Sequence, residues 1–327
     1  MKKNIFIIIT ALLGLTSCYD DYVTNYANPA IGFANHVDVR SIIVGEGMTF
    51  STGVALAGVI DNTADRTVGY QVQDTLASKT KLEAMAISAQ SYIVAYAGGI
   101  DSLKLLPSSE YSLVNEGGKA GETIIRSGSH VGKITVQIDS AAYFSGSASL
   151  TPDYVIPLEI TDGNGIDIIS DYSYTVIGVR YENMLFGNWW HGGKAVLDDG
   201  SKTQTYYTTI PQSTDKVWTL TTVSPHSLTA NAVAGALNGS AAQMKLTLEE
   251  DGTVTIAPVE GATYTVEPDG ESRYNRARLL QDRKIFLNYK FTDKDGNLWH
   301  ATDTLTFRNR VRDGVNEWQD ENQENYQ

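Results

Sequence analysis

The most constraining feature of this sequence is a recurrent pattern of short segments in which apolar and polar residues alternate. Residues 133–139 have the sequence KITVQID, and residues 244–258 and 283–309 each contain two such segments around a central Asp-Gly pair. Alternation with a period of two is typical of half-buried strands, and Asp-Gly is a common hairpin turn. The pattern therefore predicts an antiparallel, all-β protein built from sandwiches or barrels.

A chain of 327 residues is long enough for two domains of ordinary size. A strand-like segment is followed by a new aromatic cluster near the middle of the chain, so we expect one domain at residues 27–181 and a second at residues 182–318. Residues 319–327 are acidic and polar, which predicts a flexible tail. Helix formers at residues 77–96, and Ser-Pro and Gly at the two ends of residues 224–239, predict short helical insertions between strands.

The first residues have the pattern of a bacterial lipoprotein signal. Two lysines precede an apolar run that is shorter than the roughly 20 residues needed to cross a membrane. The run ends in Leu-Thr-Ser before Cys18, the only cysteine. This order resembles the lipobox, in which the cysteine thiol receives a diacylglycerol and the signal is cut before it. We expect a signal peptide at residues 1–17, lipidation at Cys18, and a lipid anchor and linker at residues 18–26; the alternative is a buried thiol in an uncleaved helix.

The residues directly after Cys18 bear on the location of the protein. Tyr-Asp-Asp-Tyr at residues 19–22 resembles the surface-export signal of Bacteroidetes lipoproteins, and the alternative is an ordinary solvated linker. The resemblance implies a protein in the outer membrane that is exposed at the cell surface and contacts the membrane only through its lipid. Because one cysteine cannot form an intrachain disulfide, the fold depends on its hydrophobic core.

The charge of the chain excludes one class of partner. The formal net charge is −13, and loss of two lysines with the signal peptide leaves 23 basic against 38 acidic residues, or −15. A protein this acidic repels phosphate backbones, so we expect no nucleic-acid partner. The charge suits an exposed module that faces neutral or basic ligands.

Motifs in both halves resemble domains of surface lipoproteins. Residues 62–72, 105–113, 132–139 and 154–165, in this order, resemble an N-terminal domain of unknown function in Bacteroidetes surface lipoproteins. The same domain precedes family-18 endo-glycosidases in polysaccharide-utilisation loci. The segment DTLTFRNRVRDGVNEW at residues 303–318 resembles the end of a partner domain, also of unknown function. The chain departs from the first family in the stretch Ala77 to Gly99, which is longer and more helical than the resemblance implies.

The resemblance implies an Ig-like β-sandwich followed by an antiparallel β-barrel. Gly187-Asn188-Trp189 also resembles the Gly-x-Trp start of lipocalin-type barrels. The implied role is accessory, namely to hold or present an oligo- or polysaccharide at the cell surface beside an outer-membrane glycan transporter. Neither family is defined by catalytic residues, so the resemblance implies no catalytic set.

The residues themselves offer no constellation typical of an enzyme. The five histidines are spread along the chain without the spacing of metal ligands on one element. Carboxylates concentrate in predicted turns, where Asp is favoured by local hydrogen bonds, whereas glycoside hydrolysis needs two carboxylates at a fixed separation. We therefore expect a non-catalytic protein with no metal or cofactor.

Aromatic residues are the better candidates for binding, because flat rings pack against the C–H faces of sugars while polar neighbours bind the hydroxyls. The chain has 18 tyrosines and 5 tryptophans. Neighbours in a strand point to opposite faces, so we expect Trp189 to be buried and Trp190 to be exposed. The alternative for each tryptophan is packing in the core, and an exposed aromatic would mark a binding face. The candidate glycan-binding residues are Trp190, His191, Trp299, Tyr206 and Tyr207.

Three arginines alternate with other residues near the end of the chain. Arg308, Arg310 and Arg312 predict either a basic face for an acidic sugar or an internal ion-pair ladder against a neighbouring strand, and we favour the ladder. The sequence as a whole predicts a non-catalytic surface lipoprotein that binds glycan. The alternative is a cell-surface adhesin or structural subunit, which would present exposed apolar patches to a protein partner.

Overall fold

Both halves of the chain consist almost entirely of β-structure. The structure is a computed structural model that describes residues 28–115, 118–206, 217–237 and 242–320. The strands of the first half are β1 (Ala30–Phe33), β2 (Val37–Ile43), β3 (Thr49–Ala57), β4 (Arg66–Val72), β5 (Lys104–Leu105), β6 (Tyr111–Asn115), β7 (Glu122–Ile125), β8 (Val131–Ile138), β9 (Tyr154–Asp162), β10 (Asp167–Ile168) and β11 (Tyr174–Glu182). Those of the second half are β12 (Gly187–Leu197), β13 (Thr203–Tyr206), β14 (Val217–Ser224), β15 (Ser227–Ala230), β16 (Ala232–Val233), β17 (Ala236–Leu237), β18 (Met244–Leu248), β19 (Val254–Pro258), β20 (Thr265–Pro268), β21 (Arg273–Tyr274), β22 (Lys284–Thr292), β23 (Leu298–Arg312) and β24 (Val315–Glu317). The α-helices of the described residues are α1 (Lys79–Ala86), α2 (Ser91–Ala97) and α3 (Ser140–Ser145), so the predicted all-β class is confirmed.

The first half is a sandwich of two sheets with an apolar interior. One sheet has the strand order β10-β1-β3-β8-β6, and the other has the order β2-β11-β9-β4-β7 with β5 beside β9. Ile134, Val136 and Ile138, at every second position of β8, are buried, while the residues between them are partly or fully exposed. They share one core cluster with Ile156 and Leu158 of the opposite sheet. The alternation in the sequence thus decides which face of the strand is buried.

Helices α1 and α2 cover the outer face of the second sheet. Val37 and Val39 of β2 point away from the sandwich interior and pack with Met85 of α1 and Ile93 of α2. The prediction of short helices at residues 77–96 is confirmed. This insertion between β4 and β5 adds a third layer and buries a second, smaller apolar cluster.

The second half is an antiparallel barrel. Its main sheet has the strand order β19-β18-β15-β14-β12-β23-β22-β20, with β13 beside β12, β21 beside β22 and β24 beside β23. The two ends of this sheet meet, because Val254 N donates to Ser272 O at 2.9 Å and Tyr274 N donates to Gly252 O at 2.8 Å. Apolar side chains from strands all round the barrel fill its interior.

The prediction of a helix at residues 224–239 is wrong. The described part of this segment forms β15, β16 and β17, and β15 pairs with β14 on one side and β18 on the other. The Ser-Pro pair that was expected to start a helix instead lies at the hairpin between β14 and β15. Backbone pairing on both sides, together with burial of Leu228 and Ala230 in the barrel, outweighs the weak local preference for helix.

A buried ionic network joins the sandwich to the barrel. Arg310 donates from Nη1 and Nη2 to the two carboxylate oxygens of Glu46, in the turn between β2 and β3, at 2.9 and 2.8 Å. Arg283 Nη1 lies 2.7 Å from Glu46 Oε1, and both guanidinium groups are fully buried. At the same junction Ser41 Oγ donates to Asp313 Oδ1 at 2.7 Å. The two halves therefore meet through charges that water does not reach.

The N-terminal features lie outside the described residues. These are the predicted signal peptide at residues 1–17, Cys18 and the linker at residues 18–26; the same holds for residues 321–327 of the predicted tail. Among the described residues, no helix is both long enough and apolar enough to cross a membrane.

Candidate functional site

The two adjacent tryptophans of β12 point in opposite directions. Trp189 is fully buried, its indole Nε1 donates to Leu185 O at 3.0 Å, and its ring packs edge-on against Phe307 with 5.3 Å between centroids. Trp190 points to the outer face of the barrel and is partly exposed. The prediction that Trp189 is buried and that Trp190 points to the opposite face is confirmed, because successive side chains of a strand alternate, but Trp190 is only partly exposed.

A guanidinium group lies over the ring of Trp190. The guanidinium carbon of Arg308 lies 5.0 Å from the ring centroid, within the range of a cation–π contact. Arg308 Nη1 also donates to Asn309 Oδ1 at 3.2 Å. In the strand register Trp190 lies opposite Thr306 of β23 and Val217 of β14. An aromatic ring with a guanidinium over it, and with Thr306 and Val217 at the paired positions, therefore lies on the outer face of the barrel.

The other predicted binding residues do not share this face. His191 is 1% exposed, Trp299 is 5% exposed and Tyr206 is 9% exposed, so these three candidates are buried and do not present their rings at the surface. His191 follows the outward Trp190 and therefore points inward, and Trp299 and Tyr206 occupy inward positions of β23 and β13. Tyr207 lies outside the described residues.

His191 belongs to a buried polar network inside the barrel. Its ring stacks on Trp218 with 4.6 Å between centroids. His191 Nε2 lies 3.1 Å from Asp303 Oδ1, but the two atoms are not aligned as a hydrogen bond, and neither has another partner among the described residues. Tyr289 OH donates to Asp303 Oδ2 at 2.6 Å and accepts from Ala234 N at 2.8 Å. Burial raises the pKa of the Tyr289 hydroxyl well above its ordinary value, so it remains a hydrogen-bond donor.

A β-bulge separates Arg308 from Arg310. The register between β12 and β23 shifts next to Trp189, so Arg308 stays on the outer face while Arg310 turns into the junction. Arg310 Nε donates to Glu317 Oε2 at 2.5 Å, and Arg312 forms a second ion pair with Glu317. Because Glu317 lies on the neighbouring strand β24, the predicted ion-pair ladder is confirmed for these two arginines, and Arg308 is not part of it.

Two carboxylates hold His300 on the outer face of the barrel. His300 Nδ1 lies 2.6 Å from Asp269 Oδ2, and His300 Nε2 lies 3.0 Å from Asp198 Oδ1. Hydrogen bonds to Asp269 and then to Asp198 raise the pKa of the imidazole above its usual 6.5. Within the part of the chain that the structure describes, no group of three or more His, Cys, Asp or Glu side chains is arranged to hold a metal ion. The cluster is a charged surface contact between the β12–β13 turn, β23 and the end of β20.

A cleft of about 360 Å³ lies where the barrel meets the sandwich, and we call it the junction cleft. Its walls come from the β2–β3 turn, the connection from β11 to β12, the β14–β15 and β18–β19 hairpins and the segment after β21. Its volume lies in the range of small-molecule sites, roughly 300–1,000 Å³, and such sites favour domain junctions and barrel mouths. This cleft could not be predicted from the sequence because its walls are far apart in the chain. The charged and titratable side chains that line it are His226, Glu249, Glu250, Tyr274, Arg276, Arg278 and Arg283.

Comparisons with known proteins give matches to solved structures and to one family model. No curated protein matches the chain. A crystal structure of a protein of unknown function from Bacteroides ovatus is similar, with a TM-score of 0.59 and 18% identity over 90% of this chain and 99% of that chain. A multidomain protein including DUF1735 from the same organism matches with a TM-score of 0.40 and 13% identity over 88% of this chain and 96% of that chain. A family model described as a "-like, N-terminal domain" matches residues 19–167, which include strands β1 to β9 of the sandwich.

Proposed function

We propose that this protein is a non-catalytic, glycan-binding lipoprotein that is anchored in the outer membrane through Cys18 and exposed at the cell surface. It holds or presents an oligo- or polysaccharide in a polysaccharide-acquisition system, beside a glycan transporter. The lipobox-like order of residues before Cys18 supports the anchor. The resemblance of both halves to surface lipoproteins of polysaccharide-utilisation loci supports the system.

The observation that carries the binding function is the outward position of Trp190. Its indole offers a flat apolar surface to the C–H face of a sugar ring, while Thr306 and Arg308 offer hydrogen bonds to the hydroxyls. Trp189, of identical chemistry, fills the core instead. A tryptophan kept on the outer face beside polar groups is typical of a binding surface, because large apolar side chains are otherwise buried.

Affinity electrophoresis tests this function. The protein from Tyr19 onward is run in gels that contain plant, microbial or host polysaccharides. We expect one glycan class to retard the protein, and Trp190→Ala to weaken that affinity about tenfold or more, as loss of a central aromatic anchor does. Trp318→Ala is the matched control, since Trp318 is 57% exposed and lies outside the proposed face. Equal retardation of wild type and Trp190→Ala would refute a binding face at Trp190.

Cell fractionation tests the anchor separately. In the full chain Cys18→Ala removes the only thiol that can accept a lipid, so we expect the protein to move from the membrane fraction to the soluble fraction. Metabolic labelling with a radioactive fatty acid should mark the wild-type chain and not the variant. A variant that stays in the membrane fraction would contradict the anchor.

A specific surface feature favours a second candidate function, adhesion to a protein partner. Val311 and Val315 on the β23–β24 hairpin are 55% and 60% exposed, and Trp318 follows directly after the hairpin. The register places Val311 opposite Asn316 and Val315 opposite Arg312, so the hairpin exposes apolar side chains on both of its faces, and exposed apolar side chains are typical of protein interfaces. If no polysaccharide retards the protein, and cross-linking on cells captures a partner that Val315→Asp loses, adhesion replaces glycan binding as the function.

A further inference from the structure

The segment after β21 presents two arginines to the junction cleft from a fixed backbone. Tyr274 OH donates to Ala277 O, which closes this segment on itself. The buried Arg283 donates from Nη2 to Arg278 O at 3.0 Å and from Nη1 to Met184 O at 2.7 Å. One buried guanidinium therefore ties the arginine-bearing segment to the opposite wall of the cleft, and the cleft is formed before any ligand arrives.

Arg276 has a backbone conformation that its residue type disfavours. Its φ of 54° lies in the left-handed region, which glycine adopts without strain. Its side chain crosses Gly252, where an added Cβ would lie 3.0 Å from Arg276 Cγ and Cδ. Strain of this kind persists where the surrounding structure enforces it and is concentrated at ligand sites. Glycine would adopt this φ without strain. The backbone conformation therefore does not account for the presence of an arginine at position 276.

The guanidinium groups of Arg276 and Arg278 differ from the buried guanidinium groups of Arg283 and Arg310 in their surroundings. Arg283 and Arg310 are buried and matched by Glu46. Arg276 and Arg278 are exposed in the cleft and form no ion pair or side-chain hydrogen bond within the described residues, although Arg276 is close enough to Asp251 to act on it electrostatically. Glu249 and Glu250 line the same cleft, so these two arginines place guanidinium donors in a cleft that also holds carboxylate acceptors.

We propose that the junction cleft is a second binding site, which accepts the carboxylate of a uronic acid residue on Arg276 and Arg278. A guanidinium binds a carboxylate with two parallel hydrogen bonds, so a planar acidic group matches these donors better than a neutral hydroxyl does. Glu249 and Glu250, on the facing hairpin, accept hydrogen bonds from the hydroxyls of the same sugar ring. The nature of the ligand rests on the proposed glycan-binding function, while the site is separate from Trp190.

Isothermal titration calorimetry with trigalacturonate tests this proposal. The methyl ester of trigalacturonate is the matched control ligand, because the ester keeps the sugar rings and lacks the carboxylate charges. We expect the acid to bind about tenfold or more tightly than the ester, since charged hydrogen bonds are lost with the carboxylate. Arg276→Gly should weaken binding of the acid by a similar factor while its thermal midpoint stays equal or rises, because glycine relieves the strained φ. Arg278→Gln should also lose affinity. Arg273→Ala, which removes a guanidinium stacked on Phe286, is the control and should bind as wild type does.

The outcomes separate this proposal from the proposed function. Equal binding of acid and ester, no binding of the acid, or unchanged affinity in both Arg276→Gly and Arg278→Gln would each overturn the uronate site. If a neutral glycan is still bound through Trp190 in that case, the glycan-binding function stands and only the second site falls. If neither neutral nor acidic glycans bind the wild type, both proposals fall together.

Discussion

The interior of the sandwich and the interior of the barrel contain different kinds of side chain. The space between the sandwich sheets is filled mostly by aliphatic residues, such as Ile134 and Ile156. The barrel adds His191 and Asp303 to its apolar interior, and the end that faces the sandwich buries Arg283 beside Glu46. Burying a charge costs several kcal/mol unless a partner of opposite charge and hydrogen bonds compensate it. Hydrocarbon packing therefore dominates between the sandwich sheets, although the same half also buries Glu110 and Arg180, whereas the interior of the barrel itself includes polar groups.

This difference indicates which half of the protein carries specificity. An aliphatic core tolerates changes that conserve volume, whereas a buried polar network is stable in few arrangements. Both surfaces that we associate with binding, the face around Trp190 and the junction cleft, are formed mainly by strands and hairpins of the barrel. We therefore expect the sandwich to act as a support and variants that affect binding to lie in the barrel.

The largest effect on stability is expected at the junction. Glu46→Gln leaves two buried guanidinium groups without their shared carboxylate, and breaking a buried ion pair in this way costs about 3–5 kcal/mol. Urea unfolding followed by tryptophan fluorescence measures the loss. Glu267→Gln removes an exposed pair with Lys290 and should have little effect. An unchanged unfolding midpoint in Glu46→Gln would contradict a stabilising role for the network.

The same carboxylate predicts sensitivity to acid. Burial alone would raise the pKa of Glu46, but hydrogen bonds and charge from Arg310 and Arg283 outweigh it and hold the pKa below its usual 4.5. A lowered folded-state pKa contributes stability above the unfolded value, and this contribution is lost as pH falls through the folded value. The difference in stability between wild type and Glu46→Gln should therefore shrink as the pH falls below about 4.5.

The next largest effect is expected inside the barrel. Asp303→Ala removes the acceptor of Tyr289 OH, and a buried polar group left without its partner costs roughly 1–3 kcal/mol. We expect a loss of about 1–3 kcal/mol in urea unfolding. A variant as stable as wild type would show that the barrel, like the sandwich, needs only apolar packing.

Placing a polar group in the aliphatic interior of the sandwich should also destabilise the protein. Val136→Thr conserves the shape of the side chain but places a hydroxyl in a fully buried, aliphatic site, at a cost of about 1–3 kcal/mol. Val136→Ile, which remains apolar, is the control for a change in volume. If Val136→Thr unfolds at the wild-type midpoint, the sandwich interior accepts polar groups and the contrast with the barrel disappears.

The smallest effect is expected at the surface of the barrel. Because Asp269 and Asp198 raise the pKa of His300, the contact stabilises the fold below pH 6.5 and this contribution is lost as the pH rises through the raised folded value. An NMR titration of the imidazole should give a pKa above 6.5 that falls in Asp269→Asn. A value at or below 6.5 in the wild type would show that the two carboxylates do not hold the ring in solution.

The sequence predicted local structure well where the alternation was strong. Residues 133–139 overlap β8, and the paired segments at residues 244–258 form β18 and β19 around their Asp-Gly turn. Trp189 and Trp190 were assigned to the correct faces because a strand alternates its side chains with a fixed period. Residues 224–239 were assigned wrongly, because pairing with two neighbouring strands decided their structure and such pairing leaves little local signal.

Features that depend on contacts distant in sequence could not be predicted. Glu46 and Arg310 are 264 residues apart, and no local pattern indicates that they meet. The alternation of Arg308 and Arg310 suggested a single face, but a bulge beside Trp189 places them on different sides. His191 is buried because it follows an outward residue, and its pairing with Asp303 depends on the register of β12 and β23.

Hydrogen–deuterium exchange of the protein with and without its retained glycan tests the central claim that the barrel binds and the sandwich supports. We predict that ligand slows exchange in peptides that contain β12 and β23 around Trp190 and Arg308. Exchange in β8 and β9 of the sandwich should remain unchanged. Protection confined to the sandwich strands would contradict the account and move the binding site to the first half of the chain.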